Sequence, residues 1–157
     1  MITLVQQQAN DTCMTACLAM VTGLDYQLVL DTFDPQYKEN YPTFNQSTYL
    51  TDLGIEHTLL PAIAPIPEEG YLYIATVPSL NLLASSHAVV IGFDEEGDFM
   101  VWDPNQGRVW KKYYVPFKAT NELEVPISSY QLTVAIKVET IRQLRKRKLT
   151  FPHRSSQ

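Results

Sequence analysis

The stretch TCMTACLAMV at residues 12–21 decides the fold that the sequence predicts. Its two cysteines, Cys13 and Cys17, are four residues apart, so they share one face of a helix with the apolar residues that follow. Thr12 is suited to cap the start of this helix, and Gly23 is suited to end it. The pattern predicts a helix that begins beside one cysteine and buries the other.

The rest of the chain divides into a helical first part and a strand-rich second part. Further helices are predicted at residues 25–33 and 43–53, with a loop between them. Strands are predicted by runs of β-prone residues at 55–60, 71–77, 87–93, 99–102 and 131–138. Helices followed by antiparallel strands are typical of an α+β fold. We expect one domain over residues 1–138 and a basic, flexible C-terminal tail over residues 139–157.

Charge is distributed unevenly along the 157 residues. All 17 acidic residues lie at or before Glu139, whereas six of the 12 basic residues lie between Arg142 and Arg154. The acidic body disfavours nucleic acid as the main ligand, because phosphate neutralisation requires Lys and Arg. Two interpretations of the tail stay open: contact with an acidic partner, RNA or a membrane surface, or a solvated chain end.

The sequence contains no run of apolar residues long enough to predict a transmembrane helix. Residues 1–8 lack the basic start and apolar run of a signal peptide, so we expect a cytoplasmic protein with reduced thiols. A zinc site needs about two ligands beyond the cysteines. The nearest histidine, His57, is 40 residues from Cys17 and has no ligand spacing. We therefore expect no metal and no organic cofactor, which leaves catalysis or packing for the cysteines.

Four residues form a candidate catalytic site. Cys13 at the start of a helix is favoured as a thiolate by the helix dipole and by free amides. His87 opens a predicted strand and can act as its base. Asp103 lies across the predicted hairpin and can bond one imidazole nitrogen, which leaves the other facing the thiol. Gln7 can donate to an oxyanion together with the backbone N–H of Cys13.

The order and spacing of these residues resemble peptidase family C39, a group of papain-like domains that cleave leader peptides after a double glycine. The residues that carry the resemblance are Gln7, CMTACLAM at 13–20, SHAVVIG at 86–92 and VWDP at 101–104. The resemblance covers about residues 1–110 and departs from the family at Thr12-Cys13-Met14, where Asp-Cys-Gly is usual. A methionine beside the nucleophile is expected to narrow the crevice or to abolish activity.

The resemblance implies a papain-like fold and a stand-alone cysteine peptidase. Cys13, His87 and Asp103 would form its catalytic triad, Gln7 would support the oxyanion, and a peptide or protein would be cleaved after small residues such as Gly-Gly. Two alternatives stay open. One is a catalytically degenerate domain that binds a peptide or protein, and the other is a transglutaminase or deconjugase that uses the same triad. Cys17 is interpreted as a core residue.

Overall fold

The computed structural model of the protein describes residues 2–63 and 66–146. The helices in this part of the chain are α1 (Cys13–Thr22), α2 (Tyr26–Thr32), α3 (Asp34–Asn40), α4 (Gln46–Asp52) and α5 (Val138–Lys146). The strands are β1 (Thr58–Leu59), β2 (Tyr71–Pro78), β3 (Ser86–Phe93), β4 (Phe99–Trp102), β5 (Tyr113–Val115), β6 (Glu124–Pro126) and β7 (Gln131–Lys137).

The main sheet has the strand order β1-β7-β2-β3-β4, and each neighbouring pair is antiparallel. Strands β5 and β6 pair in parallel in a separate small sheet. Helices α1 to α4 precede the main sheet, so the predicted α+β class is confirmed. Within residues 2–63 and 66–146, no helix combines the length and the apolar character needed to cross a membrane.

Helix α1 runs through the core, and all of its residues except Cys13 are buried. Gly23 ends the helix as predicted, in the left-handed conformation with φ of 75° that glycine adopts without strain. Thr12 occupies the predicted N-cap position, but its side chain makes no capping hydrogen bond. Its hydroxyl instead accepts a hydrogen bond from the Tyr26 hydroxyl at 2.9 Å and donates to the Ala9 carbonyl at 3.2 Å. The first-turn amides of α1 therefore donate no hydrogen bond to the Thr12 side chain.

Strands β2 and β3 are buried on both faces, which explains their continuous apolar sequences. On one face Leu72 and Ile74 join the cluster that contains α1. On the other face Tyr73 and Ala75 join a second cluster that includes Tyr114. Strand β3 is therefore packed between two layers, and this packing holds its first residues in a defined position.

The helical part differs from the prediction between α2 and α4. Helix α3 replaces the predicted loop, because Pro35 falls in its first turn, where a missing N–H leaves no hydrogen bond unmade. Helix α4 begins later than predicted, at Gln46, where the Asn45 side chain accepts hydrogen bonds from first-turn amides. Proline therefore ends one helix here and starts the next.

The strand-rich part agrees with the prediction at its centre and differs at its edges. Strands β2, β3, β4 and β7 match the predicted strands to within one residue at each end. The predicted strand at residues 55–60 contracts to the two residues of β1. The short strands β5 and β6 were not predicted, since each has only three residues and too little pattern to detect.

The segment predicted as a flexible tail begins with a helix instead. Helix α5 covers residues 138–146, and it buries Ile141 and Leu144 against the core cluster. These residues, with Val138, recur at a spacing of three and form an apolar stripe that the surrounding charges obscure in the sequence. Residues 147–157, the remainder of the predicted tail, lie outside the described residues.

Candidate active site

Cys13 is the first residue of α1, and its thiol is half-buried. Burial by itself would raise the pKa of this thiol. Hydrogen bonding and charge from His87, with the backbone amides of Ala88 and Met14, outweigh burial and hold the pKa of Cys13 below its ordinary value of 9.0. The sulfur therefore gains its thiolate character from β3 as well as from the start of its own helix.

His87 lies near the start of β3 and is 7% exposed. Its Nε2 bonds Oδ1 of Asp103 at 2.7 Å, which is the hydrogen bond predicted across the hairpin. Burial lowers the pKa of His87, but the hydrogen bonds to Asp103 and then to Cys13 raise it to about 9. Because Nε2 is engaged by the carboxylate, Nδ1 is the nitrogen left for the thiol.

Asp103 follows β4, and its side chain is fully buried. Its Oδ1 also accepts the backbone N–H of Asn105 at 2.9 Å, and its Oδ2 accepts the backbone N–H of Tyr114 at 2.8 Å. Three donors therefore hold both oxygens of this carboxylate. A carboxylate fixed in this way determines the orientation of the imidazole ring of His87.

Gln7 lies in the segment before α1 and is 2% exposed. Its backbone N–H donates to the carbonyl of Pro104 at 3.0 Å, and its Nε2 donates to the carbonyl of Ala9 at 2.8 Å. The Oε1 atom is buried and has no hydrogen-bond partner among the described residues. A side-chain amide has two hydrogens, so one Nε2 hydrogen stays free after the bond to Ala9.

The four predicted site residues come together at a cleft of about 420 Å³. Three of them, Gln7, Cys13 and His87, line the cleft, and Asp103 lies behind His87. Met14 contributes to the wall of this cleft and is 8% exposed, so the residue that departs from the C39 pattern lies beside the thiol. The aromatic rings of Tyr37 and Tyr41 also line the cleft.

Cys17 lies one turn further along α1 and is fully buried. Burial raises the pKa of its thiol well above the ordinary value, and the charges of Cys13 and Asp103 add to this effect. A neutral, buried thiol packs as a small apolar side chain, which agrees with the interpretation of Cys17 as a core residue. Within the described residues, no group of three His, Cys, Asp or Glu side chains is arranged to hold a metal ion.

The sequence did not reveal the loop that supports Asp103. Residues 103–108 pack against residues 6–10: the Gln6 side chain donates to the Gln106 carbonyl at 2.9 Å. The Arg108 guanidinium donates to Oδ1 of Asn105 at 2.8 Å and to Oδ1 of Asn10 at 3.3 Å. Gln6 and Asn10 are separated from their partners by 100 and 98 positions, and no local pattern signals such a contact.

The chain is therefore an α+β protein in which a cysteine and a histidine–aspartate pair meet at one cleft. Comparison of the chain with protein-family models, with curated proteins and with solved structures finds no match in any of the three. The resemblance to family C39 therefore rests on the residues of the sequence alone.

Proposed function

We propose that the protein is a cysteine peptidase with a papain-like fold, in which Cys13 is the nucleophile and His87 is the base. The observation that carries this proposal is the 2.7 Å hydrogen bond from His87 to the buried carboxylate of Asp103, at a cleft that Cys13 and His87 both line. Lowering of the Cys13 pKa and raising of the His87 pKa favour a thiolate–imidazolium pair.

The proposed reaction proceeds in two steps. The thiolate of Cys13 attacks the carbonyl carbon of a peptide bond, and a C–S bond forms while the carbonyl oxygen becomes an oxyanion. The backbone N–H of Cys13 and the free Nε2 hydrogen of Gln7 donate to this oxyanion. The imidazolium of His87 then gives its proton to the leaving amine as the C–N bond breaks. Water, deprotonated by the same imidazole, releases the acid from the thioester.

The proposed substrate is a peptide or protein cleaved after small residues such as Gly-Gly. The position of Met14 in the cleft wall supports this choice, because a long side chain beside the thiol occupies space that a larger substrate side chain would need. Both cysteines are free thiols, which supports a reducing, cytoplasmic location as part of the proposal.

The experiment that tests the proposal combines thiol labelling with peptide cleavage. We expect iodoacetamide to modify Cys13 in the folded protein at neutral pH faster than it modifies a free model thiol, because the pKa of Cys13 is lowered. We expect a fluorogenic Gly-Gly amide to be cleaved by the wild-type protein and by Cys17→Ala, but not by Cys13→Ala. Ordinary labelling of Cys13 together with the absence of any cleavage would refute the proposal.

A second candidate function is peptide binding without catalysis. Two observations favour it: Met14 lies beside the thiol, and the Gln7 amide already donates to Ala9. Under this alternative, Met14→Gly would restore cleavage of a Gly-Gly amide that the wild-type protein only binds. Transglutaminase or deconjugase chemistry would be recognised by mass spectrometry of the products, as a new amide or a released protein conjugate in place of a hydrolysed peptide.

A further inference from the structure

The cleft beside Cys13 has an unusual balance of charge. Apart from His87, the charged side chains that line it are Asp11, Arg108 and Lys111. The Asp11 carboxylate is paired with Lys38 at 3.0 Å. Arg108 and Lys111 have no carboxylate within 4.0 Å among residues 2–63 and 66–146. Two unpaired cations therefore line the cleft of a chain whose net charge is −5 at pH 7.

The guanidinium of Arg108 is held in position by neutral partners. Asn105 and Asn10 each accept one hydrogen bond through a side-chain oxygen, so two of the five N–H donors are used. The backbone N–H of Asn105 donates to Asp103, so the loop that carries Arg108 is tied to the His–Asp pair. The remaining donors can bond the two oxygens of a carboxylate, the geometry for which a guanidinium is best suited.

Lys111 lies on the same loop, and that loop is anchored at its far end. The Asn81 side chain donates to the carbonyl of Lys112 at 2.9 Å and accepts the N–H of Lys112 at 2.9 Å. The Lys111 ammonium has no hydrogen bond or ion pair to a described residue, although the side chain is partly buried at the cleft. Both cations are therefore positioned by the fold without being neutralised by it.

We propose that Arg108 and Lys111 form a subsite that binds a carboxylate of the peptide substrate, close to the scissile bond. The proposal rests on the peptidase function proposed above and specifies its substrate class as an acidic peptide. The carboxylate belongs to a Glu or Asp side chain or to the C-terminus of the peptide, since a guanidinium binds either one in the same way.

The test uses internally quenched peptides that contain Gly-Gly, with Glu or Gln placed at one position at a time on either side of the pair. We expect one position at which Glu raises kcat/KM by about tenfold over Gln, as expected for a charge-assisted hydrogen bond. A parallel set, which ends shortly after Gly-Gly with a free or an amidated C-terminus, tests the α-carboxylate as the source. The absence of a preference in both sets would overturn the proposal.

Matched variants link the preference to the two cations. Arg108→Gln and Lys111→Gln should each lower the Glu-to-Gln ratio, and the double variant should bring it close to one. Lys112→Gln is the control, because it removes the same charge from the adjacent exposed position and should leave the ratio unchanged. An equal loss in Lys112→Gln would mean that the general field of the protein, and not a subsite, causes the preference. If Arg108→Gln fails to fold, Lys111→Gln decides the question.

A binding measurement separates this inference from the proposed catalytic function. Fluorescence anisotropy of the same labelled peptides with the Cys13→Ala protein reports the subsite without turnover. If the wild-type protein cleaves no peptide, tighter binding of the Glu or free-carboxylate peptide that disappears in the Arg108→Gln and Lys111→Gln double variant supports the subsite, while the peptidase proposal fails. Equal binding of all the peptides overturns the subsite even if cleavage is observed.

Discussion

The first and second turns of α1 each carry a cysteine, and the two thiols lie in opposite environments. Cys13 in the first turn faces the cleft, and His87 with two backbone amides holds its pKa below the ordinary value. Cys17 in the second turn is fully buried, and burial raises its pKa well above that value. The two thiols therefore differ in pKa because the first turn of the helix meets the start of β3 and the second turn meets the core.

The largest expected effect is on the labelling of these two thiols. A fully buried thiol reacts only when the protein opens, so we expect Cys13 to be alkylated at least about 10³-fold faster than Cys17 in the folded protein. Peptide mapping by mass spectrometry after timed alkylation measures both rates in one sample. Equal alkylation rates of Cys13 and Cys17 in the native protein, together with equal rates in denaturant, would contradict the proposed difference between the two thiols.

Removal of His87 should abolish the reactivity that distinguishes Cys13 from an ordinary thiol. We expect His87→Ala to lower kcat/KM for a Gly-Gly amide by about 10²–10⁴-fold, the range for loss of a general base. The pKa of Cys13 should rise at the same time, which ultraviolet titration of the thiolate measures in the Cys17→Ala background. His57→Ala is a matched control, since His57 bonds Ser47 and Ile55 away from the cleft. A similar loss in both variants would point to a general structural effect.

Asp103→Asn tests how Asp103 sets the pH range over which His87 stays protonated beside Cys13. Burial lowers the folded-state pKa of His87, but the hydrogen bonds to Asp103 and to Cys13 raise it from 6.5 to about 9. The stabilising contribution of this group is therefore complete below about 6.5 and is lost as pH rises through about 9. Asp103→Asn removes the main cause of the raised His87 pKa, so the stabilising contribution of His87 should be lost at a lower pH. The alkaline limb of the cleavage profile and an NMR titration of the imidazole measure the shift. An unchanged alkaline limb would show that Asp103 does not set this pKa.

The smallest expected effect concerns Cys17. Cys17→Ala removes one sulfur from the core cluster, and we expect the free energy of unfolding to fall by about 1 kcal/mol, near the centre of the distribution for point substitutions. Denaturant unfolding measures this change. Cleavage by the variant should match that of the wild-type protein, because Cys17 does not line the cleft. A large loss of cleavage with intact stability would assign Cys17 a part in the site.

The regions that were predicted correctly are those with strong local patterns. Helix α1 and strands β2 and β3 contain long apolar sequences bounded by glycine or turn residues, and each was predicted to within about one residue at its ends. Helix α5 was missed because its apolar stripe is surrounded by charges, and its stability comes from burial of Ile141 and Leu144. Helix α3 was missed because proline stops a helix in one position and starts it in another.

The candidate site also has a part that the sequence predicted and a part that it did not. The pairing of His87 with Asp103 spans 16 positions of one hairpin, so the sequence was sufficient to predict it. The support from Tyr114 and Asn105, and the two cations of the cleft, were not predicted. Their roles depend on how loops from distant parts of the chain pack together, and residue type alone does not report that packing.

By itself, the sequence determined the α+β order of elements, the cysteine at a helix start and the histidine and aspartate at the two ends of one hairpin. These features follow from hydrogen bonding and side-chain periodicity over a few neighbouring residues. The tertiary structure decided which backbone amides hold the Asp103 carboxylate, how Asn10 and Arg108 meet across 98 positions, and which charges line the cleft. Such contacts form only when apolar surfaces far apart in the chain are buried against one another, and that burial gives Cys13 and Cys17 their opposite environments.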